Sequence, residues 1–183
     1  ILAVNAFRLQ GAEITARLTR FYPNRELFAH VIGYVGRINE RESQSIDSIA
    51  YSGTDSIGKI GIEKYYEDQL LGTVGSENVE TNARGRVMRI LDSVDATPGD
   101  SLTLHLDSRL QKVAYDAFAG ERGALVAIDV KTGGILSIVS APSYDPNLFV
   151  SGISQKNYNQ LINSPDRPMF DRAIRGQYPQ AQP

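Results

Sequence analysis

The sequence predicts an α+β protein in two parts: a first part over residues 1–99 that mixes strand and helix signals and, over 100–183, a part built on a hairpin covered on both faces, as in the centre of a layered α/β fold. Three observations predict it. Residues 124–130 (ALVAIDV) and 135–141 (ILSIVSA) are nearly unbroken apolar runs joined by Lys131, Thr132, Gly133 and Gly134. They read as a hairpin, and because they hardly alternate, both faces should be covered, as in the middle of a layered fold. Small residues at Ala124, Ala127, Ser137 and Ser140 leave room for a helix to approach. On pattern alone, a hairpin in an ordinary sandwich remains the alternative. The second observation is residues 96–100 (ATPGD), the strongest break in the chain and the expected boundary. The third is the mixture of strand and helix signals before that break.

Residues 13–19 (EITARLT) alternate apolar and polar as a half-buried strand does. Residues 25–35 (RELFAHVIGYV) read as a short helix with Leu27, Phe28, Val31 and Ile32 on one face, loosened by Gly33 and Gly36. Asn39 and Glu42 have the spacing of a capping box for a brief helix reaching Ile46. Residues 51–59 (YSGTDSIGK) read as polar turns. Residues 61–71 (GIEKYYEDQLL) form the best helix of the first half, with Ile62, Tyr66 and Leu70 at four-residue steps and Gly72 as its stop. A second hairpin, largely polar on one face, is expected from 76–81 and 86–91 around a turn at 82–85. Beyond the break, Leu102, Leu104 and Leu106 alternate as a strand. Ser108 and Gln111 then suggest a capping box for a helix to Ala119, with Leu110, Val113, Ala114 and Ala117 as its apolar stripe and Gly120 as its stop. A helix over 154–162 and a Pro-punctuated tail complete the reading.

Composition narrows the functions. The net charge of −2 gives no electrostatic footprint for nucleic acid. With no cysteine, disulfides, thiolate chemistry and Cys-based zinc sites are excluded. No apolar run approaches the roughly 18–20 residues that span a bilayer. The first residues, Ile1 to Val4, suggest an excised piece from which targeting signals have been removed.

Three short stretches imitate the motifs of penicillin-recognising serine enzymes: Ser56 with Lys59 (S-x-x-K), Ser76 with Asn78 (S-x-N) and Lys131 to Gly133 (K-T-G). The physics opposes a catalytic reading. Such a serine should open a buried helix, so that its lysine one turn on can take the hydroxyl proton, yet Ser56 lies in a polar, glycine-rich turn. Lys131 falls at a hairpin tip, where water should solvate it. Gly53 to Lys59 also fits G-x-x-x-x-G-K, but Ile60 follows where a phosphate loop needs Ser or Thr, so a nucleotide-binding reading is weak. His30 and His105 lack ligand-like spacing, and Glu63, Glu67 and Asp68 read as a solvated helix face. The residues alone nominate no catalytic, cofactor or metal site.

Longer stretches carry a resemblance. They are residues 30–36 (HVIGYVG), 58–67 (GKIGIEKYYE), 71–75 (LGTVG), 82–86 (NARGR), 104–107 (LHLD), 129–134 (DVKTGG) and 141–149 (APSYDPNLF). In order, from about Ala3 to Pro179, the chain resembles the class B penicillin-binding proteins, nearest the elongation D,D-transpeptidases of Gram-negative bacteria. The resemblance implies that residues 1–99 are the later part of a β-rich, non-catalytic pedestal and that 100–183 are the opening of an α/β/α-layered transpeptidase domain. In the family, Tyr-Pro-Pro-Gly-Ser-x-x-Lys then supplies the acylated serine. Here Gln177, Tyr178 and Pro179 match and residues 180–183 depart, so the chain is expected to stop short of the nucleophile and to be silent alone.

The resemblance also implies a parent that cross-links peptidoglycan stem peptides through a serine acyl-enzyme, binds β-lactams, serves cell elongation and rod shape, and uses no cofactor or metal. That parent would be periplasmic, anchored to the inner membrane by an N-terminal helix not present here. Its partners would be a SEDS-type glycosyltransferase and a scaffold protein of the elongation complex. Glu63, Arg84 and Gly85 match pedestal positions that look structural, and Glu63 could pair with Arg84 across the module. The competing expectation is a non-enzymatic interaction module, with self-association through exposed sheet edges.

Overall fold

In the computed structural model, which describes residues 18–177, fifteen-odd short segments do not contribute equally; the expected hairpin organises the second half. Strands β5 (Gly123–Ile128) and β6 (Ile135–Ala141) pair antiparallel from Gly123 opposite Ala141 to Ile128 opposite Ile135, with an irregularity after Ala127. Asp129 builds the tip. One carboxylate oxygen accepts from the Lys131 N–H at 3.0 Å, the other from the Thr132 hydroxyl at 2.8 Å, and Gly133 takes the left-handed turn position at φ 73°.

Coverage of both faces is realised for β6 and not for β5. Alternation sends Ser137, Val139 and Ala141 to one side, where helix α5 (Ser108–Asp116) lies and Ala114, Val139 and Ala141 form a buried cluster flanked by Tyr115 and Phe118. On the other side the Ser140 hydroxyl donates to the Phe170 carbonyl at 3.2 Å and accepts from the Arg172 N–H at 3.0 Å. The apolar side chains of β5, Leu125, Val126 and Ile128, stay exposed. No strand among the described residues pairs with its outer edge.

Helix α5 differs from expectation in its cap, its end and its buried face. Its N-cap is Asp107, not Ser108: the carboxylate accepts from the N–H groups of Arg109 at 2.8 Å and Leu110 at 3.2 Å. These backbone N–H groups hold the Asp107 carboxyl below its ordinary pKa. A charged acceptor at the positive end of a helix outcompetes a neutral hydroxyl. The stripe shifts with it: Gln111 and Ala114 are buried, while Leu110 and Val113 face outward. The helix also ends at Asp116, before the expected Ala119. The strand expected from Leu102 to Leu106 is absent; next to it the Asp107 N–H donates to the Leu136 carbonyl at 2.9 Å.

In the first half, the helix expected over 25–35 resolves into a 3₁₀ turn (Arg25–Leu27), helix α1 (Ala29–Ile32) and strand β1 (Val35–Arg37). Gly33 makes the turn between the last two at φ 80°, where a Cβ would meet the Ile60 carbonyl oxygen at 1.9 Å. Strand β1 pairs with β2 (Ser56–Gly58), a strand inside the segment expected to be only turns. Helix α2 (Glu40–Ser43) carries the expected reciprocal Asn39–Glu42 capping box but is shorter than expected. The helix expected over 61–71 breaks at Tyr66 into α3 (Gly61–Tyr65) and α4 (Glu67–Leu71), and Gly72 stops it at φ 75° as expected.

The second hairpin is present as β3 (Ser76–Thr81) and β4 (Val87–Val94), turned by Asn82, whose side-chain oxygen accepts from the N–H groups of Arg84 and Arg86. It projects as an arm exposed on both faces, with Val87, Met88, Ile90, Leu91 and Val94 in solvent. Residues 96–100 are not a loose linker: Thr73 and Thr97 exchange backbone bonds, and the Asp100 N–H donates to the Gln69 carbonyl at 2.7 Å. Helices α6 (Asn147–Val150), α7 (Gln155–Ile162) and α8 (Arg172–Arg175) follow β6. Of these only α7 is expected from sequence, its N-cap Ser154 accepting from the Asn157 N–H. The expected strand at 13–19 falls largely outside the described residues; Leu18 and Thr19 at its end are in no strand.

The halves meet in an aromatic core. Ala29 of α1 is buried with Tyr144 and Phe149, and Tyr34, Ile153, Leu161 and Met169 pack around them. Tyr34 stacks on Phe149 at 4.1 Å between ring centroids, and His30 sets its ring edge-on to Tyr144 at 5.3 Å.

Candidate functional site

The imitated serine-enzyme motifs are dispersed. Ser56 lies in β2 with its hydroxyl on Asp55; Ser76 and Asn78 lie on the exposed arm; Lys131 is at the exposed tip of the β5–β6 hairpin. Lys59, the lysine of both S-x-x-K and the phosphate-loop match, gives its ammonium to Glu42 in a half-buried ion pair. That pairing removes it as a general base and as a phosphate ligand. Among the described residues no group of His, Asp and Glu is placed to hold a metal ion.

Glu63 and Glu67 correct the expectation of a solvated helix face. Glu63 is only 5% exposed. Its carboxylate receives the Arg20 guanidinium on both oxygens, at 2.9 Å each, and the Tyr22 hydroxyl at 3.1 Å. That hydroxyl in turn accepts from the Val35 N–H at 2.9 Å, which ties the entry to β1 to α3. Burial, followed by the neighbouring Glu63 charge, pushes the Tyr22 phenol well above its ordinary pKa, so it serves as a neutral donor. Glu67 joins the Gly58 N–H at 2.7 Å to the Tyr51 hydroxyl at 3.0 Å, which accounts for the break at Tyr66: the second helical segment reorients to reach β2. The partner of Glu63 is therefore Arg20. Arg84 sits in the exposed turn of the arm, beside Gly85 at φ 74° with open space around it.

A polar joint connects the two halves. The Gln111 side chain is completely buried. Its amide nitrogen donates to the carbonyls of Leu27 and Ile138, both at 2.7 Å; its oxygen accepts from the Ser137 hydroxyl at 2.8 Å and the Ile138 N–H at 2.9 Å. Every hydrogen-bonding position of the amide is used. Sequence reading missed this residue by assigning it to a surface capping box; the signal that finds it is Asp107, since a helix capped there turns Gln111 inward.

Past β6 the chain returns through α8 toward Gln177. Arg172 is 8% exposed and gives its guanidinium to the carbonyls of Asp166, Arg167 and Phe170. Asp171 caps α8 by accepting from the N–H groups of Ala173 and Ile174. Arg122, Arg167, Phe170, Arg175 and Gln177 line an open cleft alongside, and Arg122 is held by Asp166 at 2.7 Å.

His30, within electrostatic reach of Asp171, has its Nε2 buried with no hydrogen-bond partner. Burial lowers its pKa below the ordinary 6.5, against the opposing pull of Asp171 and a backbone hydrogen bond at Pro168. A group that resists protonation when folded contributes stability while neutral, and that contribution is lost as pH falls below the unfolded value. The melting temperature should therefore fall on acidification below about pH 6.5, and His30→Phe should flatten that part of the curve. A parallel decline in the variant would show that other groups cause it.

Comparison with known proteins places this geometry. Residues 1–104 match the family model of the penicillin-binding protein dimerisation domain, and residues 123–181 match that of the penicillin-binding protein transpeptidase domain. The chain belongs to the penicillin-binding proteins, as its sequence stretches suggest. Within that class its relatives include peptidoglycan D,D-transpeptidases. It is 53% identical to the peptidoglycan D,D-transpeptidase MrdA of Acinetobacter baumannii over 94% of this chain, and 46% identical to MrdA of Escherichia coli K12 over 98%. It is similar in structure to Pseudomonas aeruginosa PBP2 in complex with WCK 5153, at TM-score 0.76 and 50% identity over 90% of this chain and 32% of that one. It also matches the Helicobacter pylori PBP2–MreC complex, at TM-score 0.83 and 34% identity over 93% of this chain and 32% of that one. The chain spans 26% and 29% of the length of the two MrdA relatives. No helix among the described residues is long and apolar enough to cross a membrane.

Proposed function

We propose that this chain is the middle of a peptidoglycan D,D-transpeptidase that cross-links stem peptides through a serine acyl-enzyme during cell elongation. The observation that carries the reading is the succession of both family modules in one chain, with β6 and α8 joined through Ser140 ahead of Gln177; the sequence of residues 177–179 (QYP) resembles the approach to the acylated serine. In this reading residues 1–99 belong to the pedestal and 100–183 to the transpeptidase domain. Glu63, Arg84 and Gly85 are structural positions of the pedestal: Glu63 as the anchor of Arg20 and Tyr22, Arg84 and Gly85 as the turn of the arm. Substrates of the parent are the stem peptide and, as its mimic, β-lactams. The parent faces the periplasm from an inner-membrane anchor and works with a SEDS-type glycosyltransferase and a scaffold protein. The H. pylori PBP2 solved with MreC supports a scaffold partner.

The test is covalent labelling by a fluorescent penicillin. The full-length parent should be labelled at a serine beyond Pro179, located by peptide mass mapping, and residues 1–183 alone should remain unlabelled. Labelling at Ser56, or none of the parent, would overturn the reading.

A second reading, an interaction module, is favoured by the arm with its apolar side chains in solvent and by the open edge of β5. Unpaired strand edges template pairing with another chain. Residues 1–183 should accordingly self-associate with rising concentration, and a single monomeric boundary in sedimentation velocity at high concentration would count against it.

A further inference from the structure

We propose that Gln111 is a positioning residue that couples the N-terminal module to the strand and helix leading toward the nucleophile segment, an inference that rests on the transpeptidase reading above. The geometry is that of a missing strand. Ile138 presents both its N–H and its carbonyl to the Gln111 amide, which answers with its own oxygen and nitrogen, as a peptide group of a neighbouring strand would. The second amide hydrogen reaches the Leu27 carbonyl, in the 3₁₀ turn of the module, and the second lone pair of the oxygen takes the Ser137 hydroxyl. One side chain on α5 thus closes the free edge of β6 and pins the module to it.

From β6 the connection continues. Two residues beyond Ile138, the Ser140 hydroxyl binds both the Phe170 carbonyl and the Arg172 N–H, so α8 hangs from the same strand. A displacement of the 3₁₀ turn is transmitted through Leu27, Gln111 and β6 to Arg172, only a few residues before Gln177. An apolar residue would fill the space equally well but would leave the Leu27 carbonyl and both backbone groups of Ile138 without partners, and so would uncouple the halves.

The experiment uses the full-length parent and the rate of acylation by a fluorescent penicillin, with melting temperature measured alongside. Gln111→Met keeps the volume and removes the four bonds. It should slow acylation about tenfold, whereas Val139→Ala, a packing change on the same strand outside the hydrogen-bond path, should change it about twofold or less at a comparable loss of melting temperature. If the Met variant does not fold, Gln111→Glu decides. It keeps the acceptor for Ser137 and Ile138 but sets oxygen against two carbonyls until protonation supplies one donor, so its rate relative to wild type should rise as pH falls. Equal slowing by Val139→Ala, wild-type acylation in the Met variant, or a flat pH ratio in the Glu variant would overturn the proposal. Failure of the wild-type parent to be labelled would instead remove the transpeptidase reading itself.

Discussion

Glu63→Gln is expected to lower the unfolding free energy by about 2–3 kcal/mol, measured from the urea midpoint at constant m-value. Glutamine has the shape of glutamate, so packing is conserved and the change isolates charge and acceptor count. The native carboxylate accepts from Arg20 on both oxygens and from Tyr22. The amide leaves one acceptor for donors that engaged two oxygens, and turns its own N–H toward one of them. Breaking a fully buried pair costs about 3–5 kcal/mol. Arg20 is 41% exposed, and its guanidinium recovers part of the loss by hydration, which sets the lower figure. Arg20→Leu combined with Glu63→Gln should be much less than additive, because both remove the same interaction. A loss below about 1 kcal/mol for Glu63→Gln would mean that this cage is not what holds α3 to the entry of β1.

Arg172→Met should cost a similar amount, about 2–3 kcal/mol, because charge-assisted bonds to three carbonyls disappear while the hydrophobic stem is retained. Those carbonyls, of Asp166, Arg167 and Phe170, belong to the loop ahead of α8. The Arg172 N–H keeps its bond to Ser140, since substitution does not touch the backbone. The damage should therefore be confined to the loop and appear as faster amide exchange over 164–170, with β6 still protected. Arg172→Lys should fall between the two: an ammonium keeps the charge but lacks the planar fork that spans three acceptors. Equal exchange in wild type and Arg172→Met would show that the guanidinium does not order this loop.

The elements legible in the sequence are those whose causes are local. The β5–β6 hairpin follows from two apolar runs around a Gly-containing link, the α2 cap from Asn39 and Glu42, the end of α4 from Gly72, and the arm's turn from residues 82–85. Each depends on side chains within a few residues of one another, so periodicity and turn chemistry suffice. The family resemblance was legible for a related reason: ordered stretches along one chain can be compared without knowing how they fold.

Tertiary structure decided the rest. Strands β1 and β2 have three residues each, too few to display a period, and exist because they pair with one another across the segment that carries α2. Glu63 looked solvated until Arg20 and Tyr22 arrived from another segment to neutralise and bury it. Gln111 looked like a surface partner of Ser108 until the Asp107 cap turned it toward β6. In each case a polar group had a plausible local role and a distant alternative. The distant one prevails because, once water is excluded, an unpaired donor or acceptor costs more than a local cap returns. What lies inside is known only when the chain has closed around it.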